Sequence, residues 1–193
     1  MINIAELKRR GVRPRVHGNG FIQVDLTDKT RLHVWGDKRI PRQNVYTPIH
    51  DHVFGFKSHL IVGRLFNVVY GFHRQKFGDY RVYEPQIREG EDTILAPTNE
   101  RVRVFPVRTD LVEQNTGNKD YEMDPFIFHE TFVTEPSITI IQKTGPTQAQ
   151  GATIKPRVLV RYDQEPDNVF NRYDADPELL WRIVERVLKR RNR

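Results

Sequence analysis

The chain has 193 residues, 37% of them hydrophobic and 29% charged, a balance that suits one soluble folded domain and excludes a disordered polymer or a set of membrane spans. It holds no cysteine, which excludes disulfides, thiolate metal sites and cysteine nucleophiles and fits a reducing, cytoplasmic setting. The formal net charge of +6 is concentrated at the ends, in Lys8, Arg9, Arg10, Arg13 and Arg15 and in Arg186, Lys189, Arg190, Arg191 and Arg193. A basic tail is ordinarily a solvated helix end, and no helix-turn-helix, zinc-finger or RNA-binding strand pattern accompanies these residues, so nucleic acid is only a secondary expectation. No apolar run approaches the length of a bilayer span and MINIAELKRR lacks the pattern of a signal peptide, so no membrane partner is expected.

In chain order, Asn3 is placed to cap a short helix through Arg10, which Gly11 ends. Ile22, Val24 and Leu26 then alternate with polar residues, and the turn TDKT leads into a second alternating run from Thr30 to Trp35, the pattern of a β-hairpin. Further β-type runs are Phe56 to Val62, Arg64 to Phe72, Tyr80 to Tyr83, Thr93 to Ala96, Arg101 to Arg108, Tyr121 to Met123, Phe126 to Phe132, Ser137 to Lys143 and Lys155 to Tyr162. Glycine, proline and polar breaks separate them, as in a sandwich or barrel. Thr144 to Gly151 reads as a polar loop and Asp163 to Asp176 as a longer irregular connection. The period then changes: Leu179, Leu180, Ile183, Val184, Val187 and Leu188 recur at helical spacing after Asp176 and Pro177, predicting an amphipathic helix over about 177–190 that covers the outside of a sheet. The expectation is one domain over 1–193, with a β core over about 20–162.

The chemistry concentrates in Pro48-Ile49-His50-Asp51-His52 and, far downstream, in Phe126-Ile127-Phe128-His129. On extended backbone residues two apart point to the same side, so the His50 and His52 rings can converge on one ion while Asp51 faces away. His129 stands in a strongly apolar run, where a ring without a partner would be costly to bury. Imidazole nitrogens suit iron(II), zinc, nickel, copper or manganese. His59 faces opposite to Phe56, Ser58 and Leu60 on its strand and is left out of the set. His17, His33 and His73 read as surface or packing residues.

On these residues the chain resembles the cupin superfamily, whose first motif carries HxH ahead of a glycine and whose second carries one further histidine on a later strand. His50, His52 and Gly63 match the first and His129 the second, over about Gly20 to Lys143. The resemblance implies a mainly β, double-stranded β-helix or jelly-roll barrel with the two helices appended, and it is closest to the cysteine-dioxygenase-like branch, where three histidines bind iron without a carboxylate. The glutamate many cupins place four residues after the second histidine is Phe56 here, followed by Lys57, and the long spacing between His52 and His129 implies an insertion including Arg108 to Asp120. Tyr121 matches a tyrosine found shortly before the second-motif histidine in that branch and is the candidate catalytic side chain, with Arg64 and Lys143 as candidate anion-binding partners of a small substrate. Cysteine dioxygenase itself is disfavoured, since the tyrosine–cysteine crosslink of some members needs a cysteine. The resemblance also implies a homodimer. The leading expectation is thus an iron(II)-dependent oxygenase-type enzyme acting on a small anionic molecule, and the alternative is a non-catalytic cupin-fold binding module whose basic ends touch nucleic acid.

Overall fold

The computed structural model describes residues 2–40, 48–87, 92–114, 117–145, 155–166 and 169–190; most of the polar loop expected at 144–151, and Arg191 and Arg193, lie outside them. The elements are α1 (Ile4–Arg9), β1 (Arg15–His17), β2 (Phe21–Asp25), β3 (Thr30–Trp35), β4 (Gly55–Val62), β5 (Arg64–Arg74), β6 (Tyr80–Ile87), β7 (Asp92–Glu113), β8 (Asp120–Met123), β9 (Phe128–Val133), β10 (Ser137–Thr144), β11 (Val158–Arg161), β12 (Val169–Asn171) and α2 (Pro177–Lys189). The mainly β expectation therefore holds, in two antiparallel sheets. One runs β1-β2-β3-β10-β4-β8; the other runs β11-β6-β7-β5-β9, with β12 also on β7.

Both helices form for the expected reasons. The Asn3 side chain accepts from the Glu6 N–H at 3.0 Å, and Asp176 accepts from Glu178 and Leu179 N–H at 2.9 and 3.2 Å, ahead of Pro177 at the first turn. The apolar stripe of α2, with Leu180, Trp181, Ile183, Val184 and Val187 buried, packs on Val16, Ile22, Val24, Leu32, Val34, Val62 and Ile138 of the first sheet. The stripe covers this chain's own sheet, as the helical period predicts. Much of the terminal positive charge is paired in the process: Lys8 bonds Glu178 at 3.1 Å and lies 3.8 Å from Glu185, and Arg9 pairs with Glu6.

The opposite face of the first sheet meets the second through Phe56, Leu60, Tyr121, Met123 and Ile141 on one side and Leu65, Val69 and Val112 on the other. The connection from β4 to β5 is a tight turn at Gly63, whose φ is +87° and whose missing Cβ would meet the Pro136 carbonyl at 2.7 Å. The expected strands Thr93 to Ala96 and Arg101 to Arg108 are one long β7, and Arg108 to Glu113, placed in an insertion on sequence grounds, pair with β5 in the same ladder.

The second sheet curls on itself. His50 and His129 exchange both backbone hydrogen bonds, at 3.0 and 2.9 Å, while Leu159 N–H donates to Ile49 and Asp51 N–H donates to Arg157, each at 2.9 Å. The extended segment 49–51 thus fits between β9 and β11 and joins the two edges of the sheet, enclosing Ile49, Val82, Val102, Phe128 and Leu159. No helix among the described residues is long and apolar enough to cross a membrane.

Candidate metal centre

His50 and His52 do not lie on a regular strand as expected; β4 begins only at Gly55, and 48–54 is held by isolated bridges. The convergence survives because His50 and His129 are directly opposed in an antiparallel hydrogen-bonded pair, which sends their side chains to the same face, and His52 follows two residues on. Ring centroids lie 4.6 Å apart for His50–His129, 4.8 Å for His50–His52 and 5.2 Å for His52–His129. One nitrogen from each ring falls in a set whose members are all within 4.8 Å of one another. Three nitrogens bound at about 2.1 Å to one ion stand roughly 3.4 Å apart, so ligation asks for a closure of at most about 1.4 Å across the widest pair, within the reach of ring rotation.

The donor atoms are prepared for that role. The Nδ1 of His50 lies 2.9 Å from the Pro48 carbonyl and the Nδ1 of His129 lies 3.2 Å from the Ile127 carbonyl. A carbonyl only accepts, so both Nδ1 atoms carry the proton and both Nε2 lone pairs are left for a metal. The Asn19 amide nitrogen lies 3.1 Å from His50 Nδ1 and 3.5 Å from its Nε2; being a donor, it can pair only with Nε2 once Nδ1 carries the proton, and an ion bound at Nε2 would displace it. Burial holds all three rings neutral: His129 is pushed down to about 3, chiefly by desolvation and then by His50, while His50 and His52 are lowered by desolvation first, His52 well below its usual value. Neutral, oriented imidazoles with no acidic fourth member among the described residues fit a divalent transition metal with open coordination positions.

Asp51 does not turn toward the rings. Its fully buried carboxylate accepts from the Arg157 backbone N–H at 2.5 Å and from Arg157 Nε at 2.7 Å, with Nη2 at 2.6 Å. Burial raises the Asp51 carboxyl pKa and Arg157 opposes that rise. The guanidinium also donates to the Phe126 carbonyl at 3.4 Å and lies over the Phe128 ring at 4.6 Å. Ligand segment and β11 are thereby clamped together.

Two chambers with six lining residues in common adjoin the cluster, the smaller touching all three histidines and the larger two of them. The inner, of about 40 Å³, is lined by all three together with His17, His33 and Tyr121; the outer, of about 170 Å³, is lined by His50 and His52 together with Asn19, Leu95, Val158 and Arg172. Gln23, Arg31 and Phe54 line both. Tyr121 thus stands in the wall of the same cavity as the cluster, its phenol pKa raised by burial, with the Ser58 and Thr131 hydroxyls opposing the rise. Arg64 lies elsewhere, exposed and paired with Glu113. Lys143 extends over the Phe54 ring at 5.0 Å and donates to the Asp28 carbonyl at 3.3 Å, outside the lining of both chambers. His59 is exposed and bonds Asp120 at 2.7 Å.

Sequence patterns did not single out Arg31, His33, Gln23 and His17. Five of the seven histidines line the inner chamber. The signal available for them was the composition of the non-aliphatic face of the first hairpin, where His33 and Trp35 stand two apart on β3 and Phe21 two before Gln23 on β2, burying aromatic surface that a solvated face would not carry. A scan against protein-family models finds no match to the chain, and a search of curated proteins finds no relative.

Proposed function

We propose that this is a metal-dependent enzyme of the oxygenase type with a cupin-like barrel, in which His50, His52 and His129 hold a divalent ion, iron(II) by preference, against a small anionic substrate. The observation that carries the reading is the convergence of three neutral imidazoles, two of them oriented through Nδ1, on the wall of a cavity. The cupin assignment is supported by the two-sheet β architecture, with the HxH segment and the later histidine strand meeting inside it.

Such an ion would supply Lewis acidity and open coordination positions for a substrate and a co-substrate. The chain's own residues do the rest. Phe54 and Phe56, at 5.1 and 5.5 Å from the His52 ring, limit the water around it. Tyr121, kept protonated at neutral pH, offers a hydrogen-bond donor from the cavity wall. Arg31 lines both chambers and is the cation placed to meet a negative substrate group, its Nε held by Asp25 at 3.2 Å.

The test is elemental analysis of tag-free protein beside its His129→Ala variant. We expect near one equivalent of transition metal per chain in the first and a loss of at least tenfold in the second. Metal absent from the wild type even after anaerobic iron(II) addition would overturn the proposal.

A further inference from the structure

His33 stands on β3 with Gln23 directly opposite it on β2, and both side chains line the inner chamber together with the three clustered histidines. Its ring is fixed by neighbours, with Phe21 at a centroid distance of 4.4 Å and Trp35 at 5.9 Å. Its Nε2 is fully buried and has no hydrogen-bond partner among the described residues. Buried polar atoms are satisfied in the great majority of native structures, so an orphaned one beside a cavity calls for an explanation, of which a water, an ion or a bound molecule is one. Trp35, next on the same face of β3, does have a hydrogen-bond partner, its Nε1 donating to the Thr139 hydroxyl at 3.4 Å.

The chamber's size defines what such a molecule can be. One water-sized group occupies roughly 10–15 Å³ on this measure, so about 40 Å³ accommodates about three non-hydrogen atoms. A group of that size bound to an ion on the three histidines shares the chamber with His33 and Gln23. The outer chamber, at about 170 Å³, is close to the roughly 150 Å³ that holds a benzene molecule, and so has room for the remainder of a ligand of that bulk.

Building on the three-histidine reading above, we propose that the β2–β3 wall is the second half of a ligand site: His33 hydrogen-bonds the metal-bound end of a small polar molecule. That end is a linear or bent group of about three atoms with a polar atom at its far side. Gln23, the register partner of His33, offers a second polar group on the same wall. His33 thereby selects ligands that carry such an atom over apolar ligands of equal size.

The experiment uses the full chain loaded with cobalt(II), whose visible absorption reports ligand binding, and sodium azide as the probe, since azide has three atoms and a terminal acceptor. We expect His33→Phe to raise the azide Kd about tenfold and to shift the azide infrared stretch, with cobalt stoichiometry unchanged, as the loss of one buried hydrogen bond predicts. His33→Gln, which keeps a polar group there, restores the affinity to within about threefold. Should His33→Phe fail to take up cobalt, His33→Leu serves as the apolar variant. An unchanged Kd and stretch in the apolar variant, or an equal weakening in apolar and Gln variants, overturns the role of His33. A wild-type protein that binds no cobalt overturns the metal centre and this inference together, so the two failures are told apart by the cobalt band alone.

Discussion

Asp51 sits between two of the three clustered histidines in the chain, and its carboxylate is given over to Arg157, so the pair acts on the site through backbone position. Removing one partner of a buried ion pair leaves the other uncompensated, which costs about 3–5 kcal/mol. The two partners are not equivalent: the Asp51 side chain is 0% exposed and that of Arg157 is 19% exposed. Arg157→Met, which strands a buried carboxylate, should therefore destabilise by about 3–5 kcal/mol in urea unfolding. Asp51→Asn keeps an oxygen to accept the Arg157 N–H and should lose only about 1–3 kcal/mol. Both should also weaken metal binding by about 10–100-fold, the usual effect of loosening groups that orient ligands. Chelator competition measures this. Equal stability losses in the two variants would contradict the asymmetry, and unchanged metal affinity would confine the pair to a structural role.

Among the elements, legibility depended on how many faces of a strand are buried. The β2–β3 hairpin was plain from alternation, because Ile22, Val24, Leu32 and Val34 form one aliphatic face, which α2 covers. Alternation implies that the other face is solvated, and here it is not: four of the five β2 residues are buried, and Gln23, Arg31 and His33 look into the cavity. That is why the HxH segment and His129 could be read from the sequence while the facing wall could not. The division of β7 into two expected strands has a different cause. Pro97 and Pro106 interrupt its pattern, but each lies beside a register shift, where a missing N–H is tolerated, and the Thr98 hydroxyl donates to the Val82 carbonyl at 2.9 Å across the first gap. For α2, burial of Ile183 at 0% exposure predicts that Ile183→Ala costs about 2–5 kcal/mol. The loss relative to wild type should be the same at every protein concentration, because the stripe serves this chain's own sheet; a loss that changes with concentration would point to a partner helix instead.

At the scale of the whole molecule, the fold holds several imidazoles neutral in its interior, and this makes its stability a function of pH with a defined sign. His33 and His129 are pushed down to about 3 by burial, and His17, His50 and His52 are lowered as well. In the unfolded chain each returns to its ordinary value of about 6.5. Between those limits the unfolded state binds more protons than the native one, so stability is fully present above about 6.5 and is lost as pH falls toward 3. A single histidine with His33's shift removes roughly 2 kcal/mol of native stability between pH 7 and pH 5. Urea unfolding of metal-free protein in chelator should thus show a steep fall over that interval. His33→Phe should flatten it by about one histidine's share, because Phe21 and Trp35 already provide an aromatic setting for the new ring. Loading with a divalent metal should raise stability by a nearly constant amount across that interval, since the native imidazoles, already neutral, hold no protons for the ion to displace. A wild-type stability that is level from pH 7 to pH 5 would mean that the interior histidines accept protons without opening the fold, and that water reaches the chamber between the two walls.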